Sequence, residues 1–592
     1  MKRNLALLSV LVVLSMLFGM LAGCQSGTAA SSPVEGAASV AEKAPAEASA
    51  EEASPADSEE ELAEVSEEAA PADSEAEEAA PEEAPADNGF SDMTTAGAGE
   101  GAISFPLDDK VTFTYWFAPE ADGLENLSSF SDNLVVKAAE EATNVHLDMT
   151  EISFFSQDEQ FNLMVAGGDY LDIIQGFGNS YTKGIDNAID EDIIIDLTDL
   201  LPDYAPNYSY LRDNNDEIRK STTQDSGRVG SFFFLIGDAD LGPRQGLWVR
   251  QDYLDEQGLD VPATYDDFHE YLTVSKNAYG LSDPLLMTSG GYFGSMALLG
   301  GYDVGASFYN QDGEVKYGPI EDGFREYLEM MHQWYDEGLM SSDFATRYEF
   351  MLMFDATDII GGKCAAWNAN YRQDDSWADS AVEPGFTPLA IPDVTRTGSE
   401  QIHVGGRGSN VDSYGDVIST ACADPETAVA YIDWWYSDES ALLSGYGIEG
   451  ETYYISDDGQ PLYTDMILNN PLGSSRPMRN IYTGMSLKFR VPRVVTASYD
   501  SGYDRLDRGT WNSNRDNAWD ISNFVSRTTE EGEAYSAVMS EVETYVEENI
   551  PKFIIGDRSL SEWDIYVQDI RNMGIDEAIE IETACVERYN AR

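Results

Sequence analysis

Cysteine is almost absent from this chain, with four among 592 residues. So few, so widely spaced, exclude a small core stapled by many disulfides. There is no Cys-x-x-Cys pair and no Cys/His cluster, so no zinc site is legible. Histidine is equally scarce: His146, His269, His332 and His403, none in a ligand spacing such as His-Glu-x-x-His. A Gly-x-Ser-x-Gly turn, which would raise a serine nucleophile, is missing. Positive charge is short, with Lys+Arg 34 against Asp+Glu 108 and a formal net charge of -74. Phosphate binding needs clustered Lys and Arg, so nucleic acid is excluded as a partner. Beyond the first turns of the chain, no apolar run reaches the ~18 residues that a spanning helix needs.

What is there begins with a leader. Lys2 and Arg3 precede an almost wholly apolar run from Leu5 to Leu21. That layout is a signal peptide, to be left out of the fold. Leu21-Ala22-Gly23-Cys24 resembles the lipobox of bacterial lipoproteins. The resemblance implies cleavage before Cys24, a diacylglycerol on its thiol, and residence on the extracellular face of the cytoplasmic membrane. Each buried methylene contributes roughly 0.8 kcal/mol, so two long acyl chains suffice as an anchor. Residues 1–23 are thus expected to be the signal peptide.

Residues 24–102 follow as Ala, Glu, Ser and Pro, with about 21 acids against one Lys. Such a segment buries too little apolar area to offset its ordering entropy, and the expectation is a disordered tether. As a coil it spans roughly 50 Å, and like-charge repulsion extends it.

From residue 103 the periodicity changes. Val111, Phe113, Tyr115 and Phe117 alternate with polar neighbours as a strand. Asp132 reads as the cap of a helix with Leu134, Val135, Ala138 and Ala142 on one side. Val145, Leu147 and Met149 make a second strand, and Leu171 to Ile174 a third. The same strand–helix alternation resumes from Leu247, and Gly338 and Asp424-Pro425 punctuate later helices. This predicts parallel α/β sheets, and ~490 residues are too many for one core.

Five segments in order then resemble family 1 extracellular solute-binding lipoproteins, the receptors of bacterial ABC importers: Asp132 to Val145, Ala166 to Ile174, Asp196 to Pro202, Leu247 to Tyr265, and Ser561 to Asn590. The resemblance implies an α/β two-lobed clamp with an interlobe cleft over residues 103–592. The expected lobes are about 103–240 with 405–447, and about 241–404 with 448–592. Glycine-bearing crossings would lie near Gly237 to Gly246, Val404 to Gly408 and Gly445 to Gly450. Related receptors often carry an acid-rich loop where this chain reads Ser275 to Asp283. With too few oxygen ligands for calcium there, neither metal nor cofactor is expected.

Open α/β sheets bind ligands beyond the carboxyl ends of their strands. That rule selects Trp116, Gln175, Asn179, Tyr181, Arg244, Tyr292, Trp367, Asn370, Tyr371 and Arg407. Trp116 and Trp367 are the expected stacking walls; the planar polar groups would read hydroxyl directions. The reading is a monomeric, non-enzymatic receptor for a carbohydrate, an oligosaccharide, that serves ABC permease subunits. A receptor for a peptide or other polar solute, and a secreted glycoside hydrolase with two carboxylates, are the alternatives.

Overall fold

Alternating burial makes Val111–Phe117 the strand from which the first lobe grows: Phe113, Tyr115 and Phe117 enter one core cluster and Trp116 enters another. The structure, a computed structural model, describes residues 94–592 apart from 120–126, 154–155, 182, 237–244, 288–297, 348–356, 371–376, 378–379, 406–408, 457–460, 469–474, 485–486, 488, 492–508 and 517. The described residues belong to one compact unit.

β1 (Val111–Phe117) leads through α1 (Leu134–Thr143) to β2 (Val145–Glu151), then through α2 (Gln157–Gly167) to β3 (Ile173–Gln175). Helices α3 (Pro206–Asp213) and α4 (Asp216–Thr222) precede β4 (Phe232–Ile236). The chain then enters a second lobe. There it makes β5 (Gln245–Arg250), α5 (Tyr265–Tyr279), β6 (Leu285–Leu286), the hairpin β7 (Phe308–Gln311) and β8 (Glu314–Tyr317), α6 (Asp322–Asp336), β9 (Ala366–Asn370) and β10 (Pro388–Ala390). It returns for β11 (Val411–Ile418), α7 (Pro425–Trp434), α8 (Asp438–Tyr446), the hairpin β12 (Tyr453–Ile455) and β13 (Pro461–Tyr463), and β14 (Arg490–Val491). Helices α9 (Thr529–Ile555), α10 (Trp563–Asn572) and α11 (Ile575–Ala591) complete the second lobe.

The first sheet has the order β14-β4-β11-β3-β1-β2. All its strands run one way except β11. The second has the order β10-β5-β9-β6, with β5 antiparallel to both neighbours. The two-lobed α/β clamp is therefore present.

Local chemistry fixes the ends. Thr264 and Asp267 form a capping box on α5, and Gly280 closes that helix at φ 67°; both devices satisfy orphan backbone groups. Asp424 caps α7 with Pro425 in its first turn, as expected. α6 buries Phe324, Tyr327, Leu328, Met331 and Trp334 and stops before Gly338. For α1 the cap is Asn133 rather than Asp132: its Oδ1 accepts the Val135 N–H at 2.8 Å, and its buried amide donates to Ile481 O at 2.7 Å.

Two boundaries differ from the expectation. The chain does not leave the first lobe near Gly445 to Gly450. Tyr446 instead packs with Tyr453, Tyr463 and Ile467 beside Phe234, and Arg490 pairs with Leu235 in the first sheet. The described residues between 448 and 491 thus stay in the first lobe: Gly445 lies in α8, Gly447 ends that helix at φ 85°, and Gly450 turns the chain toward β12. At the other end, residues 94–102 are not tether but lie on the first lobe. The Thr95 N–H donates to Asp438 Oδ1 at 3.0 Å, and the Asp438 N–H donates to Thr95 Oγ1 at 3.0 Å. Gly97 rests against Tyr210, where a Cβ would come within 2.5 Å of the hydroxyl.

Candidate functional site

The strand registers locate the cleft edge. The first crossing leaves β4 after Ile236 and enters β5 at Gln245, which pairs with Asn370, the last residue of β9. The second enters β11 at Val411, paired with Leu235 near the end of β4. The third leaves β14 at Val491, beside Ile236, and arrives at Trp511. The Trp511 Nε1–H donates to Leu247 O at 3.1 Å. All three connections therefore meet the first sheet where β4 and β14 end and the second where β9 ends. This is the edge where open α/β sheets hold ligands.

On the first lobe, β3 delivers Gln175 to that edge. Its amide is buried and donates to the Tyr115 hydroxyl at 3.1 Å and to Leu487 O at 2.8 Å. Opposite it in register stands Asp416, equally buried, which accepts from the Tyr115 hydroxyl at 3.1 Å. Loss of water pushes the Asp416 carboxyl up to about 8. The turn after Gln175 needs glycine, since Gly176 has φ 72° and a Cβ there would lie 2.9 Å from Tyr414 Cζ. Asn179 follows, exposed. Tyr181 is buried, stacked on Phe177, and its hydroxyl donates to Glu191 at 2.7 Å. Trp116 is 6% exposed and packs with Phe161, Ile174 and Val417 on one face of the sheet. It is a core residue here, not a free wall, because α2 covers that face.

On the second lobe, strand pairing sets Trp248 beside Trp367. Trp367 has no exposed surface; it stacks on Phe386 and meets Trp377 edge-on at 5.8 Å. Trp248 meets both Trp377 and Trp511 edge-on. Trp511 lies flat on Gly246, where a Cβ would fall 2.3 Å from the indole. The expected aromatic wall at Trp367 is therefore corrected: four indoles and Phe386 form a closed block, and the Trp367 ring has no face left for a ligand. Asn370 ends β9 at the cleft edge. Arg244, Tyr292, Tyr371 and Arg407, and Cys24 in the leader, lie outside the described residues.

The second crossing is gripped from both lobes. In the second, Arg515 donates Nη1–H to Gly405 O at 2.6 Å and pairs with Asp393 at 2.5 Å; neither side chain has exposed surface. In the first, Glu217 accepts from Ser409 Oγ at 2.6 Å and from Asn410 Nδ2 at 2.9 Å. Sequence reasoning missed Asp416 and Trp511. An acid inside Tyr414-Gly415-Asp416-Val417-Ile418 signals a buried polar group, but Trp511 acquires its place only through the third crossing. Among the described residues, no group of His, Cys, Asp or Glu is placed to hold a metal, and no helix is long and apolar enough to cross a membrane. Cys364, Cys422 and Cys585 are unpaired thiols.

Comparison with known proteins agrees with this architecture. Residues 124–442 match the family described as bacterial extracellular solute-binding protein. The fructooligosaccharide ABC transporter substrate-binding protein FusA of Streptococcus pneumoniae is 22% identical over 522 residues, 83% of this chain and 92% of that one. Among solved structures, an extracellular solute-binding protein from Bifidobacterium longum subsp. infantis aligns with TM-score 0.66 at 18% identity, over 82% of this chain and 100% of that one. FusA of S. pneumoniae in complex with kestose aligns with TM-score 0.61 at 18% identity, over 81% and 99%.

Proposed function

This chain belongs to the bacterial extracellular solute-binding protein family, and we propose that it captures an oligosaccharide outside the cell and delivers it unchanged to the permease of an ABC importer. The observation that carries the reading is the meeting of all three crossings at the cleft edge of both sheets. Such an edge can open to admit a solute and close to bury it. The carbohydrate class rests on the fructooligosaccharide relative.

Asn179 offers its amide at this edge, and Asn370, Arg244, Tyr292, Tyr371 and Arg407 are the further contacts proposed from the sequence. Gln175 acts one layer deeper, holding Tyr115 and the Leu487 loop. Trp116 and Trp367 support the floor without touching ligand. Cys24 carries the lipid and holds the receptor, a monomer, at the extracellular face of the membrane.

A thermal-shift screen of the full chain against neutral oligosaccharides, kestose included, tests the reading. A ligand that binds only the folded state raises stability by RT ln(1 + [L]/Kd). Recovery of the bound sugar intact is expected. Shortened products would identify a hydrolase, and shifts only with peptides would overturn the carbohydrate class. Replacing Cys24 by Ser should release the protein from membranes.

A further inference from the structure

The lobes also touch far from the cleft. Asp225 lies between α4 and β4 in the first lobe, before the amino end of β4. The cleft edge is at the other end of that strand, which is itself about 13 Å long at ~3.3 Å per residue. The last turn of α11, whose Ile575 and Ala578 are set in the core of the second lobe, reaches Asp225 from the other side. Arg592 places Nη2 2.7 Å from Asp225 Oδ1, and Arg588 places Nε 2.9 Å from Asp225 Oδ2. One carboxylate thus receives two guanidinium groups from the opposite lobe.

The surroundings fix this geometry. Arg592 is only 4% exposed. It also donates to Lys220 O at 3.2 Å in the first lobe and to Phe524 O at 3.0 Å. The Tyr589 hydroxyl lies 3.0 Å from Ser221 Oγ. Arg588 is held from behind by Glu531 at 2.6 Å, within the second lobe. Charge-assisted bonds in a partly dry setting are the strong kind, and multidentate ones depend on angle as well as distance. A network outranks an isolated exposed pair.

We propose that Asp225, Arg588 and Arg592 form an ionic latch between the lobes that sets the interlobe angle from the side away from the ligand. The latch sits at the end of α4, whose start holds the second crossing through Glu217, so a rotation about the crossings changes the distances between its partners. The bonds described here are made at one angle, and any other angle lengthens or breaks them. The latch thereby adds to the free energy of moving the lobes, and it shifts the populations of the angles without touching a ligand. The proposal rests on the clamp reading above but needs no knowledge of the ligand.

Spin labels on Glu141→Cys in α1 and Glu270→Cys in α5, in the full chain with Cys24 and Cys422 replaced by Ser, report the interlobe distance without ligand. Asp225→Asn is expected to broaden or shift the distance distribution. Asp569→Asn, which removes a carboxylate from Arg558 inside the second lobe and outside the latch, is expected to leave it unchanged. A distribution for folded Asp225→Asn that superimposes on the parent overturns the latch, as does an equal shift with Asp569→Asn. Failure of every sugar to bind would count against the receptor reading and leave these distances untouched.

Discussion

The Tyr115 hydroxyl lies 3.1 Å from Oδ2 of Asp416, and both side chains are buried in the first sheet beneath the cleft edge. Burial raises the Tyr115 phenol, and the nearby Asp416 carboxyl raises it further. Asp416 itself is pushed up to about 8 by loss of water, although the Tyr115 bond pulls it back down. The Tyr115 hydroxyl donates the one hydrogen bond they share, which favours the charged carboxylate, and burial outweighs it.

The sign of the pH dependence follows. The unfolded carboxyl titrates near about 4 and the folded one near about 8. A group raised on folding adds stability below its unfolded pKa, and that stability is lost as pH rises through the folded pKa. Asp416→Asn keeps the shape and removes the titration. The melting temperature of the parent should fall relative to Asp416→Asn between about pH 4 and pH 8. Parallel curves for the two proteins would sink this account.

The aromatic block of the second lobe makes a second prediction. Trp367 and Trp511 have no exposed surface, so truncating either leaves a cavity. Trp367→Ala and Trp511→Ala should each destabilise by about 3 to 5 kcal/mol, the cost of a large core deletion, measured by urea unfolding. Gly246→Ala should cost about 1 to 3 kcal/mol by overpacking, since its Cβ meets the Trp511 indole. If Trp367→Ala melts like the parent and loses only ligand affinity, the ring faces the cleft after all.

These side chains also show how far the sequence could be read. Alternation in Val111–Phe117 and the cap at Asp424 are local, so these strand and helix boundaries were legible. The cleft edge was legible because it follows from strand direction alone. Which aromatic faces it was not, because Trp367 is buried by Trp377 and Phe386 through the tertiary fold. The third crossing was misplaced for a related reason. Glycines at 445–450 resemble a hinge locally, and only the pairing of Arg490 with Leu235 shows that the chain stays in the first lobe.

A third prediction concerns the buried pair that grips the second crossing. Asp393 and Arg515 are both without exposed surface, and burial raises the Asp393 carboxyl while Arg515 opposes it. Removing one partner strands the other charge. Asp393→Asn should therefore destabilise by about 3 to 5 kcal/mol, whereas the double change Asp393→Leu with Arg515→Met should recover most of that loss. The comparison is made by denaturant unfolding of both variants. A double variant as unstable as the single one would mean that the bond from Arg515 to Gly405 O matters more than the charge.

The last prediction concerns where the chain joins the first lobe. Thr95 is buried and satisfies the N–H of Asp438 at the start of α8. Asp438 in turn receives the Thr94 hydroxyl at 2.7 Å and Arg490 Nη1 at 2.9 Å. Residues 94–95 thus cap a helix from a distance, and Ala102 continues the strap by donating its N–H to Asp203 O at 2.7 Å. Thr95→Ala should cost about 0.5 to 2 kcal/mol, the range for a lost helix cap. A chain starting at Thr94 should melt with the full-length protein, and one starting at Ile103 should melt lower. The shorter chain should still bind the same sugar, because the strap lies on α3 and α8 rather than at the cleft edge. Equal melting of the two truncated chains would show that the strap adds nothing to the lobe it covers.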